Sequence, residues 1–363
     1  MSTRAERPGI IREESLSVTN YNRRHILHAL AAATALSGTV THARASAPSR
    51  EEVIDAAKSE SGLVWYDHYD AGAARSILEN FQRAYPFVKK VDFIDVPSAQ
   101  KTAKVVQESM AGGPTTDVLL HGTAVTESLH QRGFLLETDW AALGVATSPV
   151  LTPSPYMIVA TTAPYAALCN TSLVKGADLP QSWSDMVDPK WQGRTGHWMR
   201  AAFFVEIIPA IGESAARDLA KRLAALRPRL FDGQFPLAEA VGSGEIALAI
   251  TAYDSAVRMV EKSAPVKLVL IDPTPVPLIV GSVLKYSKNP NTARLFLAWL
   301  GRPEGAIMFE KFTKRGNYFV DGTEISKVLK GHKLSYYTAA ESIAQASKQN
   351  ALETEFSRTL TGR

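Results

Sequence analysis

The sequence predicts an α/β protein of two lobes, and three observations carry that expectation. A unit of strand, turn and helix recurs three times between residues 63 and 132. A second set of apolar strand runs and one-faced helices begins near Tyr156. The 318 residues after residue 45 are enough to bury two cores.

Ser49 with Glu52 spells a capping box, opening a helix that runs to about Ser59 before Gly62. Leu63 to Tyr66 is a short apolar strand, and Asp67 to Gly72 a polar turn. Ala74, Ile77, Leu78, Phe81 and Tyr85 then repeat at helical spacing until Pro86. Val91 to Val96 is the next strand, Pro97-Ser98 a turn, and Gln100 to Met110 a helix ended by Gly112-Gly113. Asp117 to Leu120, a turn at His121-Gly122-Thr123, and a helix from Ala124 to Arg132 complete the third unit.

In the second half, Met157 to Asn170 carries two apolar runs split by Pro164. A helix over Ala215–Leu226 places Leu219, Leu223 and Leu226 on one face, and Ile246 to Thr251 reads as a buried strand. Val266 to Ile271 and Leu278 to Leu284 are strands that lead back toward the first lobe. Asn289-Pro290 caps a helix through Leu300, with proline where its missing N–H costs nothing. The expected organisation is residues 50–155 plus about 276–363 for lobe 1, and about 156–275 for lobe 2.

Residues 1–45 read as a cleavable export signal. Arg23-Arg24 precede a mildly apolar run from Ala29 to Val40, and Ala43-Arg44-Ala45 offers small residues for cleavage near Ala45. That run is short against the roughly twenty residues needed to cross a bilayer. The paired arginines, followed by Ile26 and Leu27, are similar to a twin-arginine signal, although Asn22 and His28 depart from the usual pattern. The expected location is the periplasm. The leader holds six arginines and three glutamates. Of the 40 basic and 36 acidic side chains, 34 and 33 therefore remain beyond it, a net charge of +1. No basic stripe is left for nucleic acid. Cys169 is the only cysteine, so no intramolecular disulfide can form. A soluble monomer is expected.

In open α/β sheets, ligands sit beyond the carboxyl ends of the strands, where helix N-termini offer free N–H groups. That rule selects turns: Asp67-His68-Tyr69-Asp70, Ser98-Ala99 and His121-Gly122-Thr123 in the first lobe, and His197-Trp198-Met199-Arg200 and Thr251-Ala252-Tyr253-Asp254 in the second. Tyr69, Ser98, His121, Thr123, Arg200, Tyr253 and Asp254 are the candidate ligand-binding residues. Arg200 is the most discriminating, because a guanidinium facing a cleft grips a carboxylate or phosphonate through two parallel hydrogen bonds. His68 and His197 read as turn residues, Trp183 and Trp191 as packed loop aromatics, and Cys169 as a small buried hydrophobe. Gly-x-Ser-x-Gly, His-Glu-x-x-His, Cys-x-x-Cys and a phosphate loop do not occur in the sequence. No enzyme and no cofactor is expected.

The order of short segments resembles the two-lobed solute-binding proteins of ABC transporters, type II, in the branch that includes ferric-ion-binding proteins. It rests on Leu63-Val64-Trp65-Tyr66, Asp117-Val118, Cys169-Asn170-Thr171-Ser172-Leu173-Val174, Pro180-Gln181-Ser182-Trp183-Ser184-Asp185 and Asp188-Pro189-Lys190-Trp191-Gln192-Gly193. Gly244-Glu245, Ala264-Pro265-Val266 and Asn289-Pro290-Asn291-Thr292-Ala293 continue it, so that it covers most of residues 50–320. The resemblance implies two lobes, each a mixed, mostly parallel sheet flanked by helices, joined by a two-strand hinge. It implies capture of a small solute between them, delivery to a permease in the inner membrane, and a ligand-contacting tyrosine near Tyr253.

The ferric pattern of that branch has a histidine at the end of the first turn, an acid after the third strand and two adjacent tyrosines after the Gly-Glu strand. Here Asp70 and Gly122 stand at the first two places, and Tyr253 has no tyrosine beside it. A small organic, anionic solute is therefore the preferred ligand. The alternatives are a modified ferric site on Tyr69, Asp70, Tyr253 and Asp254, and, from another class, an exported enzyme or sensory module on the same fold.

Overall fold

The computed structural model describes residues 48–60, 62–113 and 116–362, with only the backbone of Ser98 and Ala99. The expected export signal, and the side chain of the candidate Ser98, lie outside the described residues. The chain begins α1 (Arg50–Ala57), β1 (Gly62–Asp67), α2 (Ala71–Ala84), β2 (Lys90–Asp95), α3 (Ser98–Met110), β3 (Val118–Gly122) and α4 (Thr123–Gln131). Next come β4 (Ile158–Thr162), β5 (Tyr165–Asn170), β6 (Thr195–Trp198), α5 (Ala202–Glu206), α6 (Ile208–Ile211) and α7 (Glu213–Ala225). β7 (Arg229–Phe231), α8 (Gln234–Gly242), β8 (Leu248–Ala252), α9 (Tyr253–Glu261) and β9 (Val266–Val269) follow. The rest is β10 (Thr274–Pro275), β11 (Leu278–Val283), α10 (Pro290–Leu300), α11 (Pro303–Thr313), α12 (Glu324–Val328), β12 (Leu334–Ser335), α13 (Ala339–Ala344) and α14 (Ala346–Thr361).

Local chemistry sets the first elements. Ser49 and Glu52 make both capping-box bonds: Glu52 N–H donates to Ser49 Oγ at 3.2 Å and Ser49 N–H to Glu52 Oε2 at 2.7 Å. The stripe of Ala74, Ile77, Leu78 and Phe81 is buried on α2, and Asp70 caps that helix by accepting from Ala73 N–H at 2.9 Å.

Two five-stranded sheets result, with the same plan. The first runs β2-β1-β3-β11-β4, with β2, β1 and β3 parallel and β11 antiparallel to both its neighbours. The second runs β7-β6-β8-β5-β9, with β7, β6 and β8 parallel and β5 reversed. Each sheet covers its own apolar core: Trp65, Phe81, Phe296 and Trp299 in one, Trp183, Phe203, Phe204 and Leu223 in the other. The chain crosses between them at Ala163-Pro164 and again between β9 and β11. Beside the second crossing, β10 pairs with β12 as a short parallel link.

Two expected boundaries move. β4 belongs to the first sheet, pairing with β11, so the first crossing lies at Pro164 rather than near Tyr156. The C-terminal helix α14 packs on the second lobe: Leu352, Phe356 and Leu360 are buried in its core, with the Phe356 ring 5.5 Å from Phe204. Arg217 of α7 grips Glu355 through Nε and Nη2 at 2.8 and 3.1 Å.

A third correction concerns Asn289. It precedes α10 but makes no side-chain cap. Instead its Oδ1 accepts from Gly62 N–H at 3.0 Å and its Nδ2 donates to buried Asp117 at 2.9 Å. Glu60 does the capping, accepting from the N–H groups of Asn291 and Thr292 at 2.9 and 2.7 Å. Asp117 also accepts from Val64 N–H and Ser287 Oγ, both at 2.7 Å, which satisfies a carboxylate buried in the first lobe. Among the described residues no helix is long and apolar enough to cross a membrane.

Candidate functional site

The carboxyl ends of the parallel strands in both sheets carry the turns singled out in the sequence. From β1 come Asp67, His68 and Tyr69. The Asp67 carboxylate is buried and takes a hydrogen bond from Lys101 Nζ at 2.6 Å, and Lys101 also donates to the Leu120 carbonyl at 2.7 Å. His68 is exposed and paired with Asp95 at 2.7 Å, which leaves it a satisfied turn residue. Tyr69 lies in a corner of aromatic rings, 5.7 Å from Trp65 and 5.6 Å edge-on to Phe309.

From β3 comes His121. Its Nδ1 accepts from Gly122 N–H at 2.8 Å, which puts the ring proton on Nε2. Burial, with the charges of Lys101 and Arg200 added, pushes this imidazole down to about 3. At neutral pH it is therefore an uncharged N–H donor. Thr123 is buried at the start of α4.

One buried cation near these residues was not singled out in the sequence. Arg315 follows α11 in the first lobe. Its backbone position is fixed by Gly316, whose carbonyl accepts from Thr162 N–H, Thr161 Oγ1 and Thr162 Oγ1 at 2.8, 2.7 and 3.1 Å. A methyl group at position 316 would overlap the Glu310 carboxylate, so the close approach needs glycine. From there the guanidinium sits 5.9 Å from the Tyr69 ring centre and donates from Nη2 to Asp254 of the second lobe at 3.0 Å. Burial raises the Tyr69 phenol well above its ordinary value despite the nearby Arg315 charge, so it stays protonated. Three buried polar atoms of this group, Asp67 Oδ2, Asp254 Oδ1 and Arg315 Nε, make no hydrogen bond within the described residues. Such atoms take their hydrogen bonds from water or from a ligand, and here three of them belong to residues grouped around one guanidinium.

Other candidates are engaged with protein groups. Tyr253 packs beside the small apolar cluster of Val276, Ile325 and Leu329, and burial, with Glu310 and Glu324 nearby, raises its phenol. Arg200 does not project alone. Its Nε and Nη2 donate to Glu353 of α14 at 2.7 and 3.2 Å, and its guanidinium lies 5.0 Å over the Trp198 ring. His197 is buried, with Nδ1 bonded to the Trp198 carbonyl at 2.7 Å, and burial pushes it down to about 4. Trp183 and Trp191 are packing residues, both buried, with indole N–H groups bonded to the carbonyls of Pro273 and Asp185 at 2.8 and 3.0 Å.

Three members of the alternative ferric set have other neighbours. Asp70 is turned to cap α2, Asp254 is paired with Arg315, and Tyr69 stands against that same guanidinium, a poor neighbour for a trivalent cation. Among the described residues no group of three or more His, Cys, Asp or Glu side chains is placed to hold a metal ion.

A family model for bacterial extracellular solute-binding proteins matches residues 70–312, more than half of the chain. The chain belongs to this family. Its solute-binding fold is also that of several solved structures. Iron-bound HitA from Pseudomonas aeruginosa is 21% identical at a TM-score of 0.69, over 81% of this chain and 99% of that one. The periplasmic binding protein AfuA from Actinobacillus pleuropneumoniae, with fructose-6-phosphate bound, is 19% identical at 0.68, over 83% and 98%. The substrate-binding protein of an ABC transporter from Agrobacterium tumefaciens is 18% identical at 0.68, over 86% and 97%. No curated protein sequence matches the chain. The family match ends before Arg315 and before α14, so the extracellular solute-binding model does not itself account for either.

Proposed function

We propose that this extracellular solute-binding protein is the periplasmic receptor of an ABC importer. It captures a small organic, anionic solute between its lobes and hands it to a membrane permease. One observation carries the choice of ligand: Arg315, set between Tyr69 of the first lobe and Asp254 of the second, among buried polar atoms without internal partners. A carboxylate or phosphoryl oxygen meets Arg315 Nε, while hydroxyl or amino groups of the same solute donate to Asp67 Oδ2 and Asp254 Oδ1. The neutral His121 ring and the protonated Tyr69 hydroxyl add donors without adding charge. A neighbour of the fold holds a sugar phosphate, which combines these two kinds of group, and another holds iron. The donor set of this chain favours the former kind of cargo, since Arg315 opposes a metal cation.

Exclusion of water as the lobes close strengthens each of these contacts. Arginine and acid on opposite lobes also let one solute bridge both halves. Export through the leader at residues 1–45 places the receptor where the solute arrives, and replacing Arg23 and Arg24 by lysine tests the twin-arginine route by periplasmic yield.

The test is native mass spectrometry of the protein purified from its own periplasm. The expected result is a retained organic mass that Arg315→Ala loses while its unfolding transition stays cooperative. A retained iron mass, or an organic mass unaffected by Arg315→Ala, would overturn this reading.

A further inference from the structure

The Arg200–Glu353 pair has the geometry of a bound ligand. Two parallel N–H groups of a guanidinium face two oxygens of one carboxylate, the arrangement by which arginine recognises carboxylates and phosphoryl groups in general. Arg200 stands at the end of β6, where the second lobe presents its strand ends, and its charge reaches His121 of the first lobe. Trp198 supports the guanidinium from below. The pair borders a groove of about 540 Å³ whose other lining is Asn350, Thr354, Ser357, Arg358 and Thr361, all on α14.

Nothing in the anchoring of α14 requires this pair. The helix is held by Leu352, Phe356 and Leu360 in the second core and by Arg217 on Glu355, with Lys348 paired to Glu213. The Arg200 side chain is 58% exposed and that of Glu353 24%, and solvent reaching the pair screens its attraction. Glu353 can therefore leave Arg200 at small cost. Arg358, on the same groove, has no ion-pair partner among the described residues and supplies a second cation. Ser357 Oγ accepts from Ala201 N–H at 3.3 Å, which leaves its own hydrogen to donate.

We propose that Arg200 and Arg358 form an oxyanion site along α14 that Glu353 occupies from within, and that a solute carboxylate or phosphoryl group entering by this groove displaces it. This deepens the reading of the protein as a receptor for an anionic solute and rests on it. Glu353 then acts as a specificity residue. It raises the threshold for weak monoanions, because any ligand has to compete with a carboxylate already in the fork. A dianionic group, engaging both arginines, competes best.

The experiment is calorimetry at low ionic strength with inorganic phosphate on the full mature chain. Wild type should bind phosphate weakly, and Glu353→Gln about tenfold more tightly, the equivalent of about 1.4 kcal/mol. Arg200→Ala combined with Glu353→Gln should abolish the gain. Thermal unfolding of Glu353→Gln close to wild type shows that the fold is intact. Phosphate affinity in Glu353→Gln no higher than wild type, or a gain that survives loss of Arg200, would overturn the proposal. Such a failure, alongside a natural solute still lost on Arg315→Ala, would remove the α14 site while leaving the interlobe receptor reading standing.

Discussion

Arg315 and Asp254 join the two lobes, the guanidinium of the first meeting the carboxylate of the second at 3.0 Å. The contact is one of three along a single face of α9. Four residues on, Arg258 donates to the Thr313 carbonyl at 2.9 Å, and three further, Glu261 pairs with Lys314 at 2.7 Å. Residues 254, 258 and 261 share a helical face, so the stripe grips the Thr313–Arg315 segment as a unit.

This brace should bias the free protein toward the closed arrangement. Each partly exposed contact contributes up to about 1 kcal/mol, and removing the two at Arg258 and Glu261 shifts the balance between open and closed forms by about tenfold. Arg258→Ala with Glu261→Ala should therefore raise the radius of gyration of the solute-free protein in small-angle scattering. An unchanged radius would show that the brace does not govern closure.

The pH dependence of stability should carry a mark from Glu206. Burial, and then the charge of Glu353, pushes this carboxyl up to about 7. A raised carboxylate binds its proton more tightly folded than unfolded. Its contribution is thus complete below the unfolded value near 4.5 and is lost as pH rises toward 7. His197, held down to about 4, works the other way: its contribution is present above its unfolded value near 6.5 and is lost as pH falls toward 4. Glu206→Gln removes the first effect alone. Between pH 5 and pH 8, urea unfolding should show wild type losing on the order of 2 kcal/mol relative to the variant. Parallel profiles would contradict the assignment.

The docking of α14 makes a further prediction. Phe356 is 1% exposed in the second core, so Phe356→Ala should cost about 3–5 kcal/mol in urea unfolding. The midpoint should fall with the slope unchanged. A cost below about 1 kcal/mol would mean that the helix is a detachable tail.

Much of the architecture was legible because local signals agreed with the final packing. The capping box at Ser49, the stripe ending at Tyr85 and the alternation through three units all name elements that the structure contains. Pro164 even marked the place of the first crossing, although the lobe boundary was set earlier, near Tyr156. What stayed hidden depends on partners far apart in sequence. Asn289 has the identity of a helix cap, yet Gly62 and Asp117 claim its amide, and Glu60 supplies the cap across 231 residues.

The site divides in the same way. The strand-end rule pointed to Tyr69, His121 and Asp254, which the structure does place at or just beyond strand ends, because position along a parallel strand is readable from pattern. It could not find Arg315, which looks like one more solvated charge in Lys314-Arg315 until Thr161 and Thr162 fix Gly316 from 155 and 154 residues away. Nor could it show that Arg200 has a carboxylate in its fork, since Glu353 lies 153 residues downstream. A stripe of Leu352, Phe356 and Leu360 announces an apolar face on a helix but not which lobe receives it.

The interleaving of the sheets also bears on how the polypeptide matures. β11, the strand between β3 and β4, is made only after every strand of the other five-stranded sheet has been synthesised. A nascent chain paused before Leu278 would present the bare edges of β3 and β4 to any neighbour, a template for aggregation. Neither half can finish early, so a holding factor, or rapid completion of translation, has to shelter those edges until the last quarter of the protein emerges from the ribosome.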